Sequence, residues 1–503
     1  MVAKTVTLSA LLAMGATYAA AETHPLSAIE WLNQTPTVTL DMGLPEAPVS
    51  AGALKPAISV DTLGVLGRDA VGLLPPKVTG LPDSLWQHSQ AGVLATLVTD
   101  QHPTLLPAMQ ALLYTVLLAE ANAPWDAGTQ DALLLARIDK LVDMGALEQA
   151  TALVERAGAT TPELFKRWFD VTLLMGFEDA ACRALVANPR LAPDYASRVF
   201  CTARTGDWNS AALMLETANA LDLITDEEDA LLVRFLDPDL FEDQPILTAQ
   251  SDPSPLIYRL YEAIGEPQPT RSLPRPFAHA DLRTTVGWKP RLEAAERLAR
   301  TGALPENRLL GIYSEGKPSA SGMIWDRVDA VQVFDRALES RDVDAISDTL
   351  PSAWSAMQSK HLEVPFARLY GHRLLAMPLK GVTARLARDI GLLSPAYEQA
   401  ALAGPRDFLA GLAQGNPPQT PLNPLHRSIA DGFHEARVPQ HISAKLARGQ
   451  LGEVILNAMS LMEDGAYGDL AALTDAIAIF RAVGLEDTAR RVALQATLID
   501  TRG

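Results

Sequence analysis

The sequence contains little cysteine, few aromatic residues and fewer basic than acidic residues. Its 503 residues include two cysteines, 6% aromatics, and 42 Lys and Arg against 60 Asp and Glu, for a net charge of −18. An acidic chain repels phosphate backbones, which argues against nucleic-acid binding, and it is disfavoured at anionic membrane surfaces. Runs of β-branched residues are also few, whereas Ala and Leu are abundant, and this composition favours helices.

Long apolar runs are missing too, except for a short one at the N-terminus. There Lys4 precedes an apolar run, and three alanines at positions 19–21 come directly before Glu22. This order is typical of a cleaved secretory signal peptide, and the run is shorter than the roughly 20 residues that span a bilayer. We predict a signal peptide over residues 1–21, export to the periplasm and no transmembrane segment after cleavage. An uncleaved membrane anchor is the alternative.

The two cysteines, Cys182 and Cys201, fall on successive predicted helices. In an oxidising compartment such a pair can form a disulfide. Two buried free thiols are the alternative, because Cys also packs well as a small apolar residue. A metal site on this pair is not expected, since no histidine lies near it in the sequence.

Three similar stretches follow one another between residues 131 and 223. Gly145, Gly176 and Gly206 each end an apolar helical run, and they stand 31 and 30 residues apart. The residue five positions after each glycine is alanine: Ala150, Ala181 and Ala211. A period of this length indicates a stack of repeated helical hairpins.

The spacing resembles the tetratricopeptide repeat. In that pattern Gly ends the first helix, a small Ala lets the second helix lie close, and Pro closes the hairpin. Pro162 and Pro193 stand seventeen residues after the first and second glycine, as the family requires, whereas Asn188 and Leu223 depart from its second alanine and its proline. The resemblance implies an all-α fold, an α-solenoid of antiparallel helical hairpins, and an extended protein-binding surface.

Proline-rich stretches divide the chain. We predict five regions: a signal peptide over 1–21, a Pro-rich extended arm over 22–88, tetratricopeptide-like repeats over 89–244, a Pro-rich linker over 245–290, and a second helical-repeat region over 291–503 that is broken at 405–424. In the last region Gly484 is followed by Ala489 and Ala496 at the spacing of the first block. The two helical regions are therefore predicted to form two arrays of the same hairpin.

Local capping signals predict where individual helices begin. Thr161 before Pro162 is typical of an N-cap followed by proline at the first helical position. Thr225 with Glu228 three residues later is typical of a capping box.

No complete catalytic or ligand-binding motif is present. Residues 311–317 have the glycine and lysine spacing of a phosphate-binding loop, but Pro318 occupies the Ser or Thr position and no strand precedes them. His426, His434 and His441 are eight and seven residues apart, which suits no metal site, and we predict that they are solvated loop residues. The sequence predicts no catalytic residue, no cofactor and no metal.

Aromatic residues cluster in the repeats. Phe165, Trp168 and Phe169 lie on one predicted helix, and Trp208 follows the third turn. They are predicted to pack between hairpins; an aromatic anchor in a concave peptide groove is the alternative.

These features predict a non-catalytic periplasmic scaffold or adaptor that binds a protein partner of the cell envelope. The architecture is similar to that of periplasmic helical-repeat proteins that assist flagellar motors. A cell-wall enzyme of the lytic transglycosylase type, or its relic, is the alternative, but Ser314 and Glu315 reverse the order of that family's Glu-Ser motif and its glycine-rich continuation is absent. A structural role without a dedicated partner is a third hypothesis.

Overall fold

The computed structural model of the chain describes residues 67–241, 244–318, 321–420, 423–434 and 438–499. The predicted signal peptide and residues 22–66 of the predicted arm lie outside these ranges. Within them the regular structure is helical, apart from an isolated β-bridge between Leu74 and Ala119. The prediction of an all-α fold is confirmed.

The described residues form 25 α-helices. The first thirteen are α1 Pro76–Thr79, α2 Ala91–Thr99, α3 Pro107–Leu118, α4 Ala132–Asp143, α5 Leu147–Ala157, α6 Pro162–Met175, α7 Asp179–Ala187, α8 Tyr195–Arg204, α9 Trp208–Ala220, α10 Asp226–Leu236, α11 Pro255–Ala263, α12 Ala278–Asp281 and α13 Trp288–Ala299. The others are α14 Glu306–Tyr313, α15 Ile324–Ser340, α16 Val343–Gln358, α17 Glu363–Leu375, α18 Gly381–Leu392, α19 Tyr397–Leu402, α20 Phe408–Ala413, α21 Pro424–His434, α22 Gln440–Ala447, α23 Leu451–Ala466, α24 Leu470–Ala482 and α25 Glu486–Leu498.

The turn glycines end helices in the left-handed conformation. The backbone angle φ is +81° at Gly145, +78° at Gly176, +100° at Gly206 and +83° at Gly484. Each glycine lies one or two residues past the end of α4, α6, α8 or α24. Because a Cβ atom strains this conformation, glycine is the favoured residue at these turns.

Small residues sit where paired helices approach each other. Ala150, Ala181, Ala211 and Ala489, each five residues after a turn glycine, are fully buried. The helices on either side of each turn, α4–α5, α6–α7, α8–α9 and α24–α25, pack against each other. Burial of these alanines follows from close packing, since a longer side chain would hold the two helices apart.

The predicted helix caps are present. The Thr161 side chain accepts a hydrogen bond from the backbone N–H of Leu164 at the start of α6. At the start of α10, Thr225 and Glu228 form a reciprocal capping box. Both satisfy amide groups that an uncapped helix end leaves without a partner.

The two segments predicted as a linker and as a break contain packed helices. Within 245–290, α11 packs against α6 and α10, and α12 packs against α6 and α13. Within 405–424, α20 packs against α19 and α25, and Arg388 makes two 2.7 Å hydrogen bonds to Asp407. Proline therefore marks helix starts here as well as connections, because its missing N–H costs nothing in the first turn.

The buried apolar side chains form three cores. The largest combines residues of α2–α6 with residues of α19–α25, the second is built from α13–α18, and the third from α6–α11. Helix α6 borders two of them: Val171 and Leu174 belong to the first core, and Phe165 and Phe169 to the third. The largest core thus takes side chains from both predicted helical regions.

The first and last helices meet along a contact that we call the seam, formed by residues 81–118 and α23–α25. The backbone N–H of Gly452 donates to the Leu85 carbonyl over 3.1 Å, and Trp86 lies so close that a Cβ on Gly452 would be 2.6 Å from its ring. Across the same contact the Gln495 side chain accepts from the backbone N–H of Ala108 over 2.8 Å.

A buried arginine ties the described end of the predicted arm to the helices. Arg137 on α4 is fully buried and donates to the carbonyls of Leu117, Val71 and Ala119 over 2.7–2.9 Å. Burial lowers the pKa of its guanidinium to about 10, so it remains charged at neutral pH. Its five N–H groups are spread over a planar fork that reaches carbonyls of separate segments, whereas the three donors of a lysine share one nitrogen.

Candidate functional site: a cleft at the seam

A cavity of 340 Å³ opens beside the seam, and we call it the seam cleft. It is bounded by the start of α3, the residue after α13, the turn before α17, the last turns of α23 and the residue after α25. This volume is within the range of small-ligand pockets, roughly 300–1,000 Å³. The cleft is the candidate functional site, because elements from the beginning, middle and end of the chain converge there.

Apolar side chains form much of its wall. Leu106 and Met109 from the start of α3 and Met462 from α23 line the cleft, and each is at most 8% exposed. Pro107, at the first position of α3, provides the φ angle that a helix start requires. Packing of α3 and α23 into the largest core therefore places these side chains rigidly.

A second cavity lies beside the seam cleft. This cavity of 660 Å³ shares Ala466 and Ile499 with the seam cleft and extends to residues 423–425 at the start of α21. Both cavities flank the end of α23, and we call the two together the groove.

A buried carboxylate lies in the cleft wall. Glu363 is the first residue of α17 and is 5% exposed. Burial raises the pKa of its carboxyl group, and the hydrogen bond from its own backbone N–H opposes this rise only in part. Among the described residues no Lys, Arg or His forms an ion pair with it.

A second carboxylate lines the cleft from α23. Glu463 lies 3.9 Å from the ring of His102, whose side chain is 53% exposed. Burial is the main cause of the raised pKa of Glu463, and His102 opposes it. Desolvation thus disfavours the charged form of both cleft carboxylates.

Arg300, directly after α13, contributes a positive charge to the cleft. Its pKa is lowered chiefly by burial, with the nearby Glu296 acting in the opposite direction. The Glu296 carboxylate already accepts from Arg327 and from the Tyr313 hydroxyl, each over 2.6 Å. The Nε atom of Arg300 is buried and has no acceptor among the described residues.

His361 completes the polar lining in the turn between α16 and α17. Its φ of +53° is unusual for a residue with a Cβ atom. Backbone strain of this kind occurs at tight turns and at functional sites.

The cysteines and turn glycines singled out in the sequence lie elsewhere. Cys182 on α7 and Cys201 on α8 are joined by a disulfide, with their Cα atoms 4.7 Å apart, in the third core. None of Gly145, Gly176, Gly206 or Gly484 lines the cleft. These residues support the helical hairpins and do not form the candidate site.

The aromatic cluster is mostly core. Phe165 and Phe169 are buried with their ring centroids 6.1 Å apart, and Trp168 donates to Glu155 over 3.3 Å. Trp208 is 47% exposed and packs on Phe235. None of the four lines the seam cleft.

The prediction of solvated loop histidines was wrong about the loop, although His434 and His441 are exposed as predicted. His426 and His434 lie on α21 and His441 on α22. His426 stacks on Phe408 with 4.0 Å between ring centroids, and His434 hydrogen-bonds to the Pro417 carbonyl over 2.7 Å. The prolines nearby suggested a loop, but Pro424 begins a helix. Residues 311–313, the start of the predicted phosphate-loop match, lie in α14.

The described residues contain no group of three His, Cys, Asp or Glu side chains arranged to hold a metal ion. They also contain no helix with the length and apolar character needed to cross a membrane.

Sequence reasoning missed the cleft residues. Gln110, Arg300, Glu363 and Glu463 come from four distant stretches and belong to no motif. Only packing brings them together, so no local spacing identifies them. Comparison with known protein families, with curated proteins and with solved structures finds no match to this chain.

Proposed function

We propose that this chain is a non-catalytic helical scaffold of the periplasm that binds another protein in the seam cleft. The observation that carries the proposal is the groove itself, which is open to solvent, has apolar walls and lies where three parts of the chain meet. Concave apolar grooves on rigid helical supports are typical protein-docking sites.

The finer architecture is part of the same proposal. We infer that the hairpins at the four turn glycines are tetratricopeptide-like and form solenoid-type arrays. The positive φ of each glycine and the full burial of each alanine five residues later support this inference.

Site-specific photocrosslinking in cells tests the proposal. A photoreactive residue at Tyr467, which lines the cleft and is 66% exposed, is expected to capture one reproducible protein partner. The same residue at Leu240, which is equally exposed but outside the cleft, is the matched control. Equal adducts at both positions, or none at Tyr467, would contradict the proposal.

The envelope process is a separate proposal. We infer a role in flagellar motility or envelope assembly, which rests on the predicted export signal and the helical-repeat architecture. A deletion strain is expected to lose swimming in soft agar or to become sensitive to detergent. Normal behaviour in both assays would exclude this role.

The alternative of a cell-wall enzyme has one observation in its favour. Glu363 is a buried carboxylic acid with a raised pKa in a cleft, as a general acid requires. Zymography on purified peptidoglycan distinguishes the two functions. Clearing by the native protein that is lost in Glu363→Gln would replace the scaffold proposal with an enzymatic one.

A further inference from the structure

Glu363 is the more deeply buried of the two carboxylate residues that line the seam cleft. It is 5% exposed, and its described hydrogen-bond donor is its own backbone N–H. Burying a carboxylate without a cation or several donors is strongly unfavourable. A group of this kind in the wall of an open cavity points to a ligand that supplies the missing cation.

The position of Glu363 at the start of α17 does not account for it. A helix N-terminus stabilises a nearby anion, and the residue's own amide contributes in this way. The pKa of the carboxyl is nevertheless raised, because burial outweighs this stabilisation. The helix alone therefore leaves the carboxylate only partly compensated.

Two further groups in the cleft lack a full set of partners. Glu463 lies 3.9 Å from the ring of the half-exposed His102 and is influenced at longer range by Lys140, yet burial still raises the pKa of its carboxyl. The Nε–H of Arg300 is buried and has no acceptor among the described residues, while Glu296 accepts from Arg327 and Tyr313. The cleft thus offers two carboxylates as acceptors for a cation.

We propose that the seam cleft binds an extended peptide segment of the partner through a Lys or Arg side chain that pairs with Glu363. The aliphatic stem of the basic side chain lies against Leu106, Met109 and Met462, as long basic side chains do on apolar surfaces. This inference rests on the proposed function and names the chemistry that the partner presents.

Size and charge support a peptide. A cavity of 340 Å³ is too small for a helix and suits one long side chain with its backbone. The adjoining cavity of 660 Å³ gives the rest of an extended segment a path along α23. The net charge of −18 attracts a basic segment at long range.

Calorimetric titration with short peptides tests the proposal. The probes are acetyl-Leu-Lys-Leu-amide and acetyl-Leu-norleucine-Leu-amide, which differ by the single ammonium group. The lysine peptide is expected to bind at least tenfold more tightly to the native protein. Glu363→Gln is expected to abolish this preference while leaving the affinity for the norleucine peptide unchanged.

A matched variant separates binding from helix stability. Glu306, like Glu363, is the first residue of a helix without a side-chain cap, but it does not line the cleft. Glu306→Gln should leave the lysine preference intact, and its melting temperature gives the cost of losing a helix-start carboxylate. Should Glu363→Gln fail to fold, Glu463→Gln, in the same cleft, is expected to reduce the preference severalfold.

Three outcomes overturn the inference. They are equal binding of the two peptides, no binding of either, and binding of n-hexylammonium as tightly as the lysine peptide, which would assign the site to free amines. The proposed scaffold function fails separately, by the absence of a Tyr467 crosslink. A crosslink combined with no lysine preference would retain the scaffold and remove the basic anchor.

Discussion

The hairpins of α7–α10 are held by contacts between residues close in the sequence, whereas the seam is held by contacts between residues far apart in it. Helices α7 to α10 pack on their neighbours in sequence, and the Cys182–Cys201 disulfide joins residues 19 apart. The seam instead joins Gln101 to Leu456 and Ala108 to Gln495, which are 355 and 387 residues apart. Local contacts close short loops, whereas the seam must order most of the chain before it gains any stability.

This difference determines where the candidate site lies. The disulfide-linked hairpins have a core of their own, while the seam cleft exists only when α3 and α23 are held together. A change that opens the seam should therefore remove the cleft without unfolding the hairpins. A change in the hairpins should leave the cleft intact.

The largest effect is expected from Trp86→Ala. Trp86 is fully buried against Gly452 at the seam, and removing such a side chain costs about 3–5 kcal/mol of unfolding free energy. Urea unfolding measures the loss, and hydrogen exchange should show reduced protection of α23 with unchanged protection of α8.

Trp208→Ala is the control for Trp86→Ala. Trp208 is 47% exposed and belongs to the hairpins. Its replacement should therefore lower the free energy of unfolding by less than half as much as Trp86→Ala does. If both variants lose the same stability, or α23 keeps its protection in Trp86→Ala, the seam is not a separate unit.

Removing the disulfide should have the next largest effect, and it should be confined to the hairpins. The double variant Cys182→Ala, Cys201→Ala removes a short covalent loop that restricts the unfolded chain. Its free energy of unfolding should therefore fall by about 3 kcal/mol. Hydrogen exchange should increase in α7 and α8 and stay constant in α23.

A thiol count checks the premise of that prediction. When the unmodified protein is denatured without reduction, neither Cys182 nor Cys201 should react with a thiol reagent. Two reactive thiols would mean that the hairpins are held by packing alone.

Two turn glycines provide a matched comparison, and the expected difference between their variants, about 2 kcal/mol, is smaller than the effect of removing the disulfide. Gly206 has open space around it, whereas a Cβ at Gly145 would lie 2.6 Å from Leu298. Both glycines have positive φ, so replacing either with alanine should lower the free energy of unfolding by about 1–2 kcal/mol through backbone strain. Gly145→Ala should lose about 2 kcal/mol more through overpacking, and thermal melts of the two variants measure the difference.

The smallest expected effect is a pH dependence of the unfolding free energy, caused by a histidine that packs on the turn at Gly145. His279 on α12 hydrogen-bonds to the Gly145 carbonyl over 2.6 Å, and burial lowers its pKa below 6.5. Its stabilising contribution is therefore complete above pH 6.5, the pKa of the unfolded chain, and is lost as the pH falls from that value through the lower pKa of the folded protein.

The comparison for this prediction is native protein against His279→Gln, unfolded in urea at pH 7.5 and 5.5. The native protein should lose more unfolding free energy than the variant over this interval. A parallel decline of both proteins would show that His279 is not the responsible group.

Local features were predictable because their causes are local. Turn glycines need a left-handed backbone, and Thr225 with Glu228 caps a helix end within one turn. Where the prediction was wrong, at His426 and His434, the local signal was ambiguous: proline both interrupts helices and begins them. Trp86 lay in a proline-rich stretch without periodicity, so its burial at the seam was not predicted.

The candidate site was not predictable, because its residues share no motif. Arg300, Glu363 and Glu463 are ordinary charged residues in the sequence, and their surroundings differ from those of other charged residues only after folding. Arg300 Nε, for example, is buried without an acceptor among the described residues, while the Glu296 carboxylate accepts from Arg327 and Tyr313.

The sequence by itself determined the helices, their turns and the spacing of small residues between them, since each depends on backbone conformation over a few residues. Only the tertiary structure decided that the last helices pack on the first and that a cleft opens beside them. These features depend on the balance between long-range burial and chain entropy, and no single stretch of the sequence encodes that balance.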